Sequence, residues 1–162
     1  MINILGLDPG LASTGWGIVT AEGSKVRHLA HGSIKTSSAD NIGLRLNLIF
    51  EKIQEIIGSY KPAYAGIETL YFARNRKSAI PVAQARGVLL LTCSIAGIAA
   101  YEFPPPEIKM ALTGNGRADK EQVQEMVKLV LGMAERAEPD HAADALAVAV
   151  TAYHSIGLLR NK

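Results

Sequence analysis

Ile2-Asn3-Ile4-Leu5-Gly6-Leu7-Asp8-Pro9-Gly10, followed at once by Thr14-Gly15-Trp16-Gly17, is the stretch from which the architecture is read. A short apolar run rich in Ile and Leu, cut off by a Pro-Gly turn, is the pattern of a buried strand. Its last residue, Asp8, stands where the strand opens into the turn. Residues 15–20 and 26–36 continue as two more strands, separated by the turn-forming Glu22-Gly23-Ser24. Three consecutive strands with short connections predict an antiparallel meander.

Beyond the meander the periodicity changes. Residues 40–60 place Ile42, Leu46, Ile49, Ile53, Ile56 and Ile57 at helical spacing with Arg45, Glu51, Lys52 and Glu55 between them, and Lys61-Pro62 ends the run. Residues 63–67 form a short apolar strand that delivers Glu68 to the sheet's edge. A polar loop around residues 74–78 precedes a nearly uncharged helix over 80–99, whose first turn is expected at Pro81. A fifth strand over 100–103, a short helix over 107–112 closed by Gly114, a helix capped by Asp119 and running through Leu131, and a last helix from Pro139 or Asp140 to about Ile156 complete the chain. The order is βββαβαβα with an additional helix or two. Residues 1–162 read as one domain, without repeat, low-complexity tract or linker.

The 162 residues and 48% hydrophobic content suffice for a buried core. A formal charge of +2 does not by itself identify a nucleic-acid partner. Its distribution says more: residues 69–101 contain no acidic side chain but carry Arg74, Arg76, Lys77 and Arg86, a segment that either lies against phosphates or is a solvated basic loop ahead of an apolar helix. Cys93 is the lone cysteine, so neither a disulfide framework nor a cysteine zinc site is built within one chain. No signal sequence is read at the start, and residues 87–100 are too short and too polar for a membrane span. A soluble, cytoplasmic protein is expected.

Asp8 either caps its turn or presents a carboxylate at a strand end to a metal ion or phosphate. Glu68 directly follows the apolar Ala65-Gly66-Ile67, where an ionised carboxylate is costly unless paired or metal-bound. Asp140, His141 and Asp144 share one helix face at i, i+3 and i, i+4 spacing. Capping accounts for Asp140 and leaves His141 as an ordinary first-turn residue, but Asp144 sits among alanines with little polar surface around it. Carboxylates are the hard oxygen ligands that magnesium requires, and a pair of cations about 3.5 to 4 Å apart activates water and stabilises the leaving oxygen in phosphodiester cleavage. Three acidic groups and one imidazole suit that chemistry, and the softer imidazole leads us to expect that manganese substitutes for magnesium. His141 must be deprotonated to bind a metal, so activity should fall on acidification.

Gly6-Leu7-Asp8-Pro9-Gly10 with Thr14-Gly15-Trp16-Gly17, then Ile67-Glu68, Gln84-Ala85-Arg86-Gly87, Lys109, Asp119-Lys120 and His141-Ala142-Ala143-Asp144-Ala145-Leu146-Ala147, resemble in order and spacing the bacterial RuvC-type Holliday junction resolvases, from Ile2 to about Tyr153. The resemblance implies an α/β ribonuclease H-like fold: a five-stranded mixed sheet, its first three strands antiparallel, flanked by helices on both sides. It implies a homodimer that nicks two opposed strands of a four-way DNA junction, leaving 5′-phosphate and 3′-hydroxyl ends in recombination and repair. Asp8, Glu68, His141 and Asp144 fall on the family's metal-binding positions for two Mg2+ ions, with His141 where many members carry Asp. Lys109 and Lys120 fall where the family uses lysines near the scissile phosphate and DNA backbone; without the resemblance they read as surface lysines. Tyr71 and Phe72 fall in the loop that stacks an aromatic on a base near the crossover, Tyr71 being the closer match. Arg74, Arg76 and Lys77 would contact phosphates, making binding salt-dependent. The helix from Pro81 onward would hold the dimer seam, and cooperation with RuvA–RuvB branch-migration proteins is implied.

Rival readings are weaker. An actin-like or sugar-kinase-like ATPase shares the first strand ending in Asp and a Gly/Thr turn, but needs a second domain for which the chain has no room. Against a ribonuclease H-like nuclease acting on RNA hybrids, or a pre-ribosomal RNA processing relative, stand the motifs near Tyr71 and Lys109. A junction-binding scaffold without chemistry has no use for the full acidic constellation.

Overall fold

The computed structural model describes residues 1–69 and 76–160, apart from the side chains of residues 76–78 and 157–160. Five strands, β1 (Ile2–Asp8), β2 (Ser13–Glu22), β3 (Lys25–Lys35), β4 (Tyr64–Glu68) and β5 (Ala99–Phe103), form one sheet in the order β3-β2-β1-β4-β5. The first three strands are antiparallel neighbours, whereas β4 and β5 add in parallel. Parallel addition requires crossovers, which α1 (Ile42–Tyr60) and α2 (Arg76–Ile95) supply. Helices α3 (Pro105–Thr113), α4 (Lys120–Leu131) and α5 (Asp140–Arg160) follow β5. The mixed five-stranded sheet with helices on both sides matches the expectation.

β1 is the central strand, and its side chains alternate between two cores. Ile4 belongs to the core covered by α3, α4 and α5, whereas Leu5 and Leu7 belong to the one covered by α1 and α2. The alternation assigns Gly6 and Asp8, which share Ile4's parity, to the α5 face. There the sheet is stripped of side chains: Gly17, Gly6 and Gly66 stand side by side on three adjacent strands. A Cβ on Gly17 would lie 2.7 Å from Leu146 Cδ2, one on Gly66 would lie 2.9 Å from Val148 Cγ1, and one on Gly6 would overlap the Ala145 carbonyl. Helix α5 answers with Ala142, Ala143, Ala145, Ala147, Ala149 and Ala152, all buried. Small residues on both surfaces let the helix axis come close to the sheet, so α5 has little freedom to slide.

Three boundaries differ from expectation. Helix α1 begins at Ile42 rather than at residue 40, because Asn41 caps it, its side-chain oxygen accepting the Leu44 N–H at 3.1 Å. Helix α2 starts at Arg76 and includes Pro81 in its second turn, so the proline interrupts one backbone hydrogen bond near a helix end instead of starting the helix. The same helix ends at Ile95 instead of 99, because Gly97 adopts φ 69° and the Ile98 N–H donates back to the Cys93 carbonyl at 2.9 Å. Ala99 is thereby released into β5. No helix is long and apolar enough to cross a membrane among the described residues.

Candidate metal centre and nucleic-acid cleft

β1 and β4 run in parallel, so both end at the same edge of the sheet, and Asp8 and Glu68 directly follow the last registered pair, Leu7 and Ile67. Each shares parity with a glycine that faces α5, and both carboxylates therefore point to the helix side. The turn beyond Asp8 is held from two directions. Buried Thr14 donates its hydroxyl to the Gly10 carbonyl at 2.6 Å, and Thr36 donates to the Leu11 carbonyl at 2.6 Å while accepting from Arg45 Nε at 2.8 Å.

The first turn of α5 meets this edge. A Cβ on Gly15 would overlap the His141 carbonyl, so the helix N-terminus rests directly on β2. His141 Nδ1 lies 2.7 Å from Asp8 Oδ2. One ligand atom each from Asp8, His141 and Asp144 fall within 4.8 Å of one another. Glu68 stands beside this trio, where the charges of Asp8 and Asp144 act on its carboxyl. The structure thus brings Asp8, Glu68, His141 and Asp144 together from positions up to 136 residues apart (144 − 8).

The electrostatics are those of a site short of positive charge. Burial, then the negative charges of Asp8 and Asp144, push the Glu68 carboxyl up to about 8. Burial also raises Asp144, with Lys120 opposing and Asp8 adding to the shift. Lys120 Nζ reaches Asp140 at 3.0 Å and Asp144 at 3.4 Å. Burial works against that ammonium, but its hydrogen bond to Asp140 and the two carboxylate charges outweigh it, and its pKa rises. A single lysine against four carboxylates leaves room for divalent cations, and the donors are the oxygen-rich set that such ions prefer.

Lys109 and Lys120 line, together with Glu68 and Asp144, one cleft of about 240 Å3 floored by Ile108, Val123 and Ala147. Lys109 comes from α3, and Lys120 is the first residue of α4, placed by a capping box in which Asp119 Oδ1 accepts the Gln122 N–H at 2.8 Å. Arg86, read earlier among free basic residues, instead forms a two-pronged ion pair with Glu102, with Nη2 to Oε2 at 2.8 Å. It ties α2 to β5. Tyr71, Phe72 and Arg74 lie outside the described residues, and the side chains of Arg76 and Lys77, which open α2, do too.

A family profile described as "Crossover junction endodeoxyribonuclease RuvC" matches residues 4–152. The chain belongs to the RuvC family. A RuvC of Treponema denticola is 50% identical over 148 residues, covering 91% of this chain and 83% of that protein. One from Brevibacillus brevis is 45% identical, covering 93% of this chain and 90% of the relative. Among solved structures, RuvC of Thermus thermophilus in complex with a Holliday junction substrate superposes with a TM-score of 0.90 at 34% identity, covering 97% of both chains. This RuvC-family chain is accordingly a nuclease by kinship, with the ribonuclease H-like fold.

Sequence reasoning passed over Asp140 as a mere cap. In this RuvC-family chain it pairs with Lys120 and accepts from Gln124 Nε2 at 3.2 Å, joining α4 to α5 beside the cleft. The available signal was its helical neighbour, Asp144, four residues on. The seating role of Gly15, Gly17 and Gly66 was also missed, although their alternate spacing and the alanines of α5 were both in view.

Proposed function

We propose that this chain is a structure-specific endodeoxyribonuclease that resolves four-way DNA junctions by symmetric paired nicks, acting in recombination and repair. The observation that carries the reading is the convergence of Asp8, His141 and Asp144 beside Glu68, at the head of a cleft bearing Lys109 and Lys120. Family membership supplies the substrate class, since the Thermus thermophilus relative is bound to a Holliday junction.

Asp8, Glu68, His141 and Asp144 would hold two Mg2+ ions, with Mn2+ able to substitute; such ions polarise the scissile phosphate and supply a nucleophilic water. The chain's own groups do the rest. Glu68 is ionised only after losing the proton that burial and its neighbours hold on it, so ligation draws on a carboxylate kept in reserve. Lys120 keeps Asp144 partly neutralised and stands with Lys109 where a phosphate enters the cleft. Both lysines act as sequence-blind backbone contacts. Tyr71 and Phe72 are proposed to stack on junction bases, and Arg74, Arg76 and Lys77 to contact phosphates.

A homodimer is part of the proposal, because two opposed strands must be cut. Its support is α2, where Ile80, Leu91 and Ile95 are 64%, 56% and 59% exposed at i, i+11 and i+15 spacing, an apolar stripe of the kind that marks an interface. Cooperation with a RuvA–RuvB branch-migration complex and a cytoplasmic location rest on the family resemblance.

The test is cleavage of a four-way junction labelled on each strand in turn, with duplex, fork and RNA–DNA hybrid controls, with and without magnesium, beside Glu68→Gln. Paired symmetric nicks in the junction alone, dependent on metal and lost in the variant, are expected. Metal-independent binding without cutting, or preferential cutting of the hybrid, would overturn the reading.

A further inference from the structure

Away from this edge, the outer strand β3 carries a second group of ligating side chains. In a regular strand residues three apart point to opposite faces. His28 and His31 do not, because the β2–β3 register shifts between Ile18 and Val19: Ile18 pairs with Ala30 and Val19 with His28, leaving Leu29 unpaired as a bulge. His31 opposes Gly17 and His28 opposes Val19, two residues of one parity, so both imidazoles fall on the α5 side of the sheet. Their rings are 4.8 Å apart between centroids, and His28 Nε2 lies 2.7 Å from His31 Nδ1. β3 is the sheet's edge, two strand spacings or roughly 10 Å from β1, and Asp8 lies further along, opposite Gly15 and not Gly17 or Val19.

We propose that His28 and His31 form an accessory site for a late first-row divalent ion, of the zinc, nickel or copper class, with solvent completing the coordination. Metal–imidazole bonds are about 2.0 to 2.1 Å long, so two such nitrogens subtending about 90 to 110° at an ion stand about 2.9 to 3.4 Å apart. The present 2.7 Å needs only a few tenths of an ångström of opening. In the metal-free pair one ring nitrogen donates its hydrogen to the other. On binding, that ring moves its proton to its second nitrogen, and both facing nitrogens then present lone pairs with no net proton released. Burial first, and the neighbouring His31 ring second, hold His28 below the ordinary imidazole range, which favours the neutral, ligating form. An all-imidazole pair selects against magnesium, which separates this site chemically from the carboxylate-rich centre. The proposal does not depend on the nuclease reading.

Calorimetric titration of the full chain with nickel chloride tests it, run beside His28→Asn, His31→Asn and His141→Asn. Losing one ligand turns chelation into single-point binding, so His28→Asn and His31→Asn should each weaken one nickel site by about 100-fold, while His141→Asn retains it. Magnesium-dependent junction cleavage should be unchanged in His28→Asn. Equal nickel uptake in all four proteins, or loss in His141→Asn alone, would overturn the proposal. If the β3 variants fail to fold, amide resonances of the unsubstituted chain decide. Paramagnetic broadening by nickel centred on residues 26–33 supports the site, and broadening confined to the surroundings of residues 8, 141 and 144 refutes it.

Discussion

Replacing Glu68 by Gln should stabilise the metal-free fold at alkaline pH while abolishing its metal response, an inversion that separates a poised ligand from an ordinary strand-end residue. The Glu68 carboxyl is pushed from an ordinary 4.5 to about 8, first by burial and then by Asp8 and Asp144. Between those values the folded chain holds a proton that the unfolded chain has released. Stability from this group is therefore complete below about pH 4.5 and is lost as pH rises through 8. At about 1.36 kcal/mol per unit, the shift sets a ceiling of roughly 5 kcal/mol. Water entering the cleft and the nearby Lys120 ammonium lower the effective cost, and about 2 to 3 kcal/mol is the working expectation.

Gln has nearly the same shape and never ionises, so the difference between the two proteins cancels titrating groups remote from the cleft and reports Glu68 together with the carboxylates it faces. The assay is urea denaturation in EDTA at pH 5, 6.5 and 8.5. The native chain should lose about 2 to 3 kcal/mol relative to Glu68→Gln across that range. Added manganese should then stabilise the native chain and leave the variant nearly unchanged. Parallel stability profiles for the two proteins in EDTA would refute the claim that Glu68 is held protonated by burial and its neighbours.

Gly15→Ala places a methyl group against the His141 backbone and should cost about 1 to 3 kcal/mol in thermal or urea unfolding, together with weakened metal binding by calorimetry as His141 is pushed off Asp8. Lys120→Met should weaken junction binding and flatten its salt dependence, lowering the slope of log affinity against log salt by about 1 in fluorescence anisotropy. Leu91→Glu, on the exposed stripe of α2, should give a folded monomer by light scattering that has lost paired nicking. A dimer that persists in this variant would move the seam elsewhere.

The legible parts of the structure were those written in local pattern. The buried β1 strand and the isoleucine spacing of α1 come directly from side-chain pattern, and the Asp119 cap from its place ahead of a helical run. Glu68 and Asp144 were visible as carboxylates in apolar settings, whereas Asp8 read equally as a turn cap and His141 as an ordinary first-turn residue until the family resemblance singled them out. What periodicity could not supply was any contact that depends on where a helix ends or how two distant surfaces meet. Gly97 reads as one more small residue in an apolar run until its positive φ redirects the chain into β5. Arg86 counts as a free cation until the α2–β5 packing puts Glu102 against it. Glu102 lies 16 residues away on another element, so no spacing rule connects them.

The alanines of α5 and the glycines of the sheet show why this helix can carry half of the centre. A helix seated on large interdigitating side chains is positioned by many soft contacts, each able to adjust by a rotamer. One seated on backbone has no rotamers to absorb a shift, because the Ala145 carbonyl faces Gly6 and the His141 carbonyl faces Gly15 directly. Small residues bury little apolar area each, so the arrangement forgoes some hydrophobic stabilisation. In exchange, it holds the first turn of α5, and with it His141 and Asp144, against the strand end that carries Asp8. An asymmetry is expected: enlarging Ala145 or Ala149 should damage metal binding more than trimming the opposite core at Ile53, although both cost stability. Paired measurements of unfolding free energy and manganese affinity on Ala149→Val and Ile53→Val would show it, and equal losses of affinity at equal losses of stability would mean that α5 is held no more tightly than any other helix.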